Sequence, residues 1–245
     1  MSEVRPIVPP MDVLLIPGFW LDASSWEQVT PPLVAAGHTV HPLTLPGLES
    51  PGEDRRQIGF AEHVAAVVAA IDALPGRVAL VGHSGGGTIA GAAVDARPDR
   101  VEHVVYVDSG PLNDGAAIND GLPAVDGEIP LPDWTAFDES ELAGLDEELR
   151  QRFRDRAIPE PARVASDPVT LSDERRLDVP ATVISSTMPT AVLEELMEKG
   201  HPYVAELARV RRRAIVELPT GHWPQFSRPQ ELGEAIVAAL ADPPR

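Results

Sequence analysis

The stretch Arg77-Val78-Ala79-Leu80-Val81-Gly82-His83-Ser84-Gly85-Gly86-Gly87-Thr88 decides how this chain is read. Its first half is a continuous run of small and branched apolar residues, the pattern of a strand buried on both faces. Its last residue opens Thr88 to Ala96, a segment of small residues able to lie as a helix close on a sheet. Between the two stands Gly82-x-Ser84-x-Gly86. Alone, so short a motif recurs by chance and marks no more than a glycine-rich turn with an idle serine. Set between a buried strand and a helix it becomes specific, because a sharp turn there lifts the serine above the sheet edge. Side chains at the flanking glycines would collide within such a turn. The helix that follows aims its N-terminus at the same point, so backbone N–H groups, Gly85 first, face any negative charge that develops there. A phosphate-binding loop is excluded, since neither the P-loop lysine nor the dinucleotide glycine spacing is present.

Outward from this turn, short apolar runs alternate with amphipathic stretches, the signature of a parallel sheet with crossover helices. Strands are expected at Met11–Ile16, Thr39–Leu45, Arg77–Val81 and Val101–Val107. Helices are expected at Ser24–Ala36, with Trp26, Val29 and Leu33 on one side, at Phe60–Leu74, with Val64, Val67, Val68 and Ile71 in its stripe, and at Thr88–Ala96. From Gly110 to about Asp178 the chain is proline-rich and acidic, without clear strand character. A structureless loop of that length is improbable in a compact domain. Asp138-Glu139-Ser140-Glu141 has capping-box spacing, and Leu142, Leu145, Leu149 and Phe153 follow at helical intervals, so a helical insertion is expected. Strands return at Ala181–Ser185 and Ala214–Leu218, with helices from about Ala191 to Gly200 and from Pro229 to Leu240. The expected architecture is α/β: a mostly parallel sheet of about six strands flanked by helices. Residues 1–110 and 179–245 would form the core, and 111–178 a helical cap inserted after the fourth strand.

A serine hydroxyl needs a base to take its proton. Of seven histidines, His222 in Leu218-Pro219-Thr220-Gly221-His222-Trp223 is the candidate, because it follows the last strand where the sheet edge faces the serine turn. His83 adjoins the serine and reads as a structural residue of the turn. His38, His41, His63, His103 and His201 have no comparable context.

The formal net charge of −18 argues against nucleic acid and against anionic lipid as partners. No stretch is long and apolar enough to span a bilayer, and Met1–Pro6 lack a signal-peptide pattern, so a cytoplasmic protein with a small-molecule substrate is expected. The absence of cysteine excludes thiol nucleophiles, disulfides and Cys-ligated metal. Lys199 is the sole lysine, which leaves no other position for a lysine base or Schiff base. The run Arg211-Arg212-Arg213 reads as solvated surface.

Together these features resemble the α/β-hydrolase superfamily, in particular small esterase-like members that open with Pro-Gly-Phe-Trp. Pro17-Gly18-Phe19-Trp20 resembles the oxyanion loop, Trp26 with Gly37-His38 the helix after it, Leu45-Pro46-Gly47 the next strand end, and Gly221-His222-Trp223-Pro224 the histidine loop. The resemblance implies an α/β-hydrolase fold, Ser84 as nucleophile and His222 as base. It also implies the backbone N–H groups of Phe19 and Gly85 as oxyanion donors. The family usually carries the acid after the strand that follows the cap, but here that loop reads Ser185-Ser186-Thr187-Met188-Pro189. Some members place it one strand earlier, which points to Asp108; Glu194, Glu195 or a Ser–His dyad without an acid are the alternatives. Trp20, Trp134, Phe137, Met188 and Trp223 fall in segments expected to surround the serine, although aromatics make up only 4% of the chain. The implied activity is hydrolysis of a carboxylic ester or lactone of a small apolar or aromatic substrate through an acyl-serine, with no metal and no organic cofactor. A lyase or cyclase on the same fold, or a ligand-binding protein with a vestigial site, are the competing readings.

Overall fold

The computed structural model describes residues 10–244; Met1–Pro6, the rest of the first nine residues and Arg245 lie outside the described residues. The strands are Asp12–Ile16 (β1), Thr39–Pro42 (β2), Val78–His83 (β3), Val101–Val107 (β4), Glu128–Ile129 (β5), Glu160–Pro161 (β6), Ala181–Ser185 (β7) and Arg213–Glu217 (β8). Six of them form one parallel sheet in the order β2-β1-β3-β4-β7-β8. The chain enters at β1, steps outward to β2, then crosses to β3 on the other side of β1. Where the direction of winding reverses, the C-terminal strand ends diverge and leave a crevice.

The helices are Thr30–Ala35 (α1), Phe60–Ala73 (α2), Gly85–Ala96 (α3), Glu147–Arg156 (α4), Ala162–Ser166 (α5), Thr190–Glu198 (α6), Ala205–Arg209 (α7), Pro224–Ser227 (α8) and Pro229–Ala241 (α9). Alternate strand residues feed opposite faces of the sheet. Val13, Leu15, Ala79 and Val81 pack with Trp26, Val29 and Leu33 and with Leu232 and Ile236 of α9. Leu14, Ile16 and Leu80 pack on the other face with Val67 and Ile71 of α2 and Ile89 and Ala93 of α3. Both faces are covered, which is why the central strands read as continuous apolar runs. Among the described residues no helix is long and apolar enough to cross a membrane.

Three expectations are corrected. The helix expected over Ser24–Ala36 is two pieces: a 3-10 turn at Ala23–Trp26, capped by the Asp22 carboxylate (2.8 Å from Ser24 N), and α1. Pro31 and Pro32 have no N–H to donate to an upstream turn, so the helix restarts with both prolines near its beginning. Helix α3 starts at Gly85, three residues before the expected Thr88, because packing on the sheet overrides the poor helix propensity of glycine, about 1 kcal/mol each against alanine.

The third concerns residues 111–178. The Glu141 carboxylate does accept the Asp138 N–H at 2.8 Å, as a capping box requires, but no helix follows directly. Gly144 turns the chain at φ 81°, and α4 begins only after Asp146, whose carboxylate caps Leu149 N–H at 2.9 Å. This segment also holds β5 and β6, an antiparallel pair too short to leave a periodic trace.

Candidate active site

Strand β3 runs straight into Ser84, whose backbone lies at φ 52° and ψ −127°, and α3 departs from Gly85. The glycines around it are dictated by space. A Cβ on Gly82 would lie 2.5 Å from Gly86 O, and one on Gly86 would lie 2.3 Å from Pro17 O. Among the described residues four non-glycine residues have positive φ, and three of them, Trp20, Ser84 and Asp108, stand at this end of the sheet. Such conformations cost on the order of 1–3 kcal/mol each and persist where surrounding packing enforces them.

His222, in the loop after β8, closes onto Ser84. Its Nε2 lies 2.8 Å from Ser84 Oγ and its Nδ1 lies 2.7 Å from Asp108 Oδ2. An ionised carboxylate only accepts, so Nδ1 carries the proton and Nε2 accepts from the serine hydroxyl. The Asp108 side chain is only 6% exposed. Burial alone would raise its pKa; the His222 hydrogen bond and the N–H groups of Thr187 and Ser186 outweigh it and hold the carboxyl below the usual range. Those two N–H groups reach Oδ1 at 2.9 Å each, and the Thr187 hydroxyl donates to Oδ2 at 2.9 Å. The Ser185–Pro189 loop therefore supplies donors to a carboxylate that stands after the neighbouring strand. Glu194 and Glu195 lie on α6, and neither hydrogen-bonds to the His222 ring, whose partners are Asp108 and Ser84.

Phe19 and Gly85 meet on the near side of Ser84: a Cβ on Gly85 would lie 2.6 Å from Phe19 Cε1. The Gly85 N–H belongs to the first turn of α3, where helix donors have no partner within the helix. The loop carrying Phe19 is held from residues 111–178. Trp20 N–H donates to Glu160 Oε2 at 3.2 Å and its indole N–H to Ile129 O at 3.0 Å. Burial pushes the Glu160 carboxyl up to about 8.

A cavity of about 330 Å3 opens on Ser84, lined by Phe19, Trp20, Leu112, Ile118, Leu122, Phe137, Met188, Leu193, Tyr203 and Trp223, with Glu141 and Asn119 among its polar members. Trp20, Met188 and Trp223 line this cavity. Trp134 does not: it packs behind the wall, edge-on to Trp223 at 6.2 Å and beside Phe153 at 5.6 Å, under the Arg154 guanidinium. The aromatic cluster needed a second layer, and Trp134 fills it. Sequence reasoning missed Ser186, Thr187 and Ser109, whose hydroxyl donates to Ser84 O at 2.6 Å. Their only signal is a run of small polar residues just past a buried strand.

Comparison with known proteins agrees with this fold. Pyrethroid hydrolase of Sphingobium wenxiniae is 28% identical over 95% of this chain and 88% of its own. Pimeloyl-[acyl-carrier protein] methyl ester esterase of Klebsiella pneumoniae is 27% identical over 94% of this chain and 79% of its own. Among solved structures, an extracellular alpha/beta-hydrolase from a Paenibacillus species superposes with TM-score 0.76 at 22% identity, covering 94% of this chain and 99% of that one. Tomato methylketone synthase I shares the fold at TM-score 0.69 and 21% identity, over 94% of this chain and 97% of its own. The sequence model of the alpha/beta hydrolase family matches residues 13–235, and the chain belongs to that family.

Proposed function

We propose that this protein hydrolyses a carboxylic ester or lactone of a small, largely apolar substrate through an acyl-serine, with Ser84, His222 and Asp108 as its catalytic residues. One observation carries the reading: a serine hydroxyl 2.8 Å from an imidazole whose far nitrogen is 2.7 Å from a buried carboxylate, at the mouth of an apolar cavity. His222 Nε2 takes the Ser84 proton as Oγ bonds to the substrate carbonyl carbon, and Asp108 stabilises the imidazolium. The carbonyl oxygen becomes an oxyanion held by the Phe19 and Gly85 N–H groups. When the intermediate collapses, the C–O bond to the alcohol breaks and Nε2 returns the proton to the leaving oxygen. Water deprotonated by the same nitrogen then releases the acid and restores Ser84.

Residues 1–110 and 179–245 form the core in this reading, and 111–178 form the cap that contributes Leu112, Ile118, Leu122 and Phe137 to the wall. A cavity of about 330 Å3 lies at the small end of ligand pockets, and its walls are mostly apolar, which fits a compact uncharged substrate. The two relatives, named as a pyrethroid hydrolase and a methyl ester esterase, support ester cleavage. Asp108 at 2.7 Å from the His222 ring offers the acid that the loop after β7 lacks, which supports hydrolysis over a lyase or cyclase reaction on the same fold. The test is turnover of nitrophenyl esters of graded acyl length. Ser84→Ala is expected to lower kcat by about 10³-fold or more. Turnover that survives this change, or none with the unaltered protein on any ester of the series, overturns the proposal.

A further inference from the structure

Beside the Ser84–His222 pair lies a second imidazole that this mechanism does not use. His83 ends β3, in register with Val107 of β4, and is fully buried. Its Nε2 lies 2.6 Å from the main-chain carbonyl oxygen of His222. A carbonyl only accepts, so Nε2 carries the proton and Nδ1 of the neutral ring is an acceptor. The amide N–H of Gln225, itself buried, donates to that Nδ1 at 3.2 Å. The other tautomer would set a lone pair against the carbonyl and an N–H against an N–H, so the two contacts select one state. Burial first, and the neighbouring His222 second, lower the His83 pKa to about 3, and the ring stays neutral. Neutrality suits its place: with ring centroids 5.0 Å apart, a cation at His83 would oppose a positive charge on His222.

The same ring touches the remaining parts of the site. A Cβ on Gly18 would lie 2.6 Å from His83 Nδ1 and 2.9 Å from Ser84 Cβ, so His83 borders the loop that carries Phe19. From the opposite side, His222 N–H donates to Glu141 O at 2.7 Å. The main chain of His222 is thus gripped twice, its N–H from residues 111–178 and its carbonyl from the serine turn.

We infer that His83 is a positioning residue: its Nε2–H, oriented by Gln225, fixes the His222 main chain so that the His222 ring meets Ser84. The inference rests on the assignment of Ser84 and His222 as nucleophile and base. Two variants separate the ring's hydrogen bond from its bulk. In His83→Gln the side-chain amide nitrogen falls near the position of Nε2 and still reaches the carbonyl. In His83→Asn the amide stops near Nδ1 and cannot. His83→Asn is expected to lower kcat about 10- to 100-fold with little change in KM, since misplacement by about 1 Å costs that much. His83→Gln is expected to restore most of the loss. The far-downfield NMR resonance of the His222 Nδ1 proton should persist in the unaltered protein and in His83→Gln, and broaden or move upfield in His83→Asn. That signal needs no substrate, so it reads the inference even if no ester is turned over, an outcome that would sink the functional proposal alone. Wild-type kcat and an unshifted resonance in His83→Asn would overturn it, as would equal impairment of two folded variants. Should His83→Asn not fold, Gln225→Met frees the tautomer without touching His222; about a 3- to 10-fold loss of kcat is then expected, from one lost hydrogen bond. An unchanged kcat in that folded variant overturns the inference.

Discussion

At the scale of single residues, the carboxylate at the His222 ring is the expected Asp108, one strand earlier than the family's usual place for the acid, and the loop after β7 accommodates it. Asp108 sits at φ 44°, and its two carboxylate oxygens collect His222 Nδ1–H, two backbone N–H groups and the Thr187 hydroxyl. All of these favour the ionised form. Asp108→Asn keeps the shape but removes the charge and presents an N–H toward His222, so kcat should fall about 10³- to 10⁴-fold with binding little changed. Steady-state kinetics on any accepted ester checks this. Thr187→Val removes one donor to a charged acceptor, worth about 1.5–3 kcal/mol, and should cost about 10- to 100-fold in kcat while Ser84 remains reactive. An unaltered rate in Thr187→Val would show that the backbone N–H pair alone orients Asp108. Ser84 and His222 were legible because each stands beside glycine at the end of an apolar run. Thr187 was not, because a hydroxyl that serves a neighbouring strand's carboxylate leaves no local pattern.

At the scale of elements, close approach of backbones explains both what was readable and what was not. Strands β4 and β7 match the expected Val101–Val107 and Ala181–Ser185 because burial of all their residues but Glu102 leaves both sequences dominated by apolar and β-branched side chains. Strand β2 stops at Pro42, short of the expected Leu45; its last pair is Pro42 with Leu15 of β1, and Leu43 N–H makes the final bond to Leu15 O at 2.9 Å. The first turn of α3 was hidden because its glycines answer to tertiary crowding rather than propensity. Gly86→Ala places a methyl 2.3 Å from Pro17 O, against backbone that cannot swing aside. We expect a loss of about 1–3 kcal/mol or more in chemical denaturation, with activity lost in parallel as the Phe19 loop is displaced. Gly221→Ala pushes on Glu141 O at 2.3 Å, the atom that accepts His222 N–H. It should therefore lower kcat beyond what its effect on Tm accounts for, whereas a matching change on the solvent side of α9, such as Glu234→Ala, should do neither.

At the scale of the whole molecule, buried titratable groups set the pH window of stability. His63, His83 and His103 are buried, and burial lowers their pKa from 6.5 to about 4, about 3 and about 4. Because the folded values lie below the unfolded value, the stabilisation is present above about pH 6.5 and is lost as pH falls through the folded values. Each contributes up to about 1.4 kcal/mol per pH unit over that window. Glu160 acts in the opposite sense. Its folded value is raised from 4.5 to about 8 by burial, so its contribution is full below the unfolded value and fades as pH rises to about 8. Stability measured by denaturant titration should therefore peak near pH 6.5. Glu160→Gln should gain on the unaltered protein as pH rises from about 4.5 to about 8, with no further gain above that, and a peak that does not broaden to the alkaline side in that variant would contradict the assignment.

The proposed chemistry stands or falls with Ser84 as the nucleophile of an acyl-serine mechanism, activated by His222. Reaction with a serine-directed fluorophosphonate, followed by mass mapping of the modified peptide, addresses it most directly. One adduct per chain is expected, located on Ser84, formed rapidly in the unaltered protein and slowed by several orders of magnitude in His222→Ala. An adduct on another residue, or equal labelling with and without His222, would contradict it.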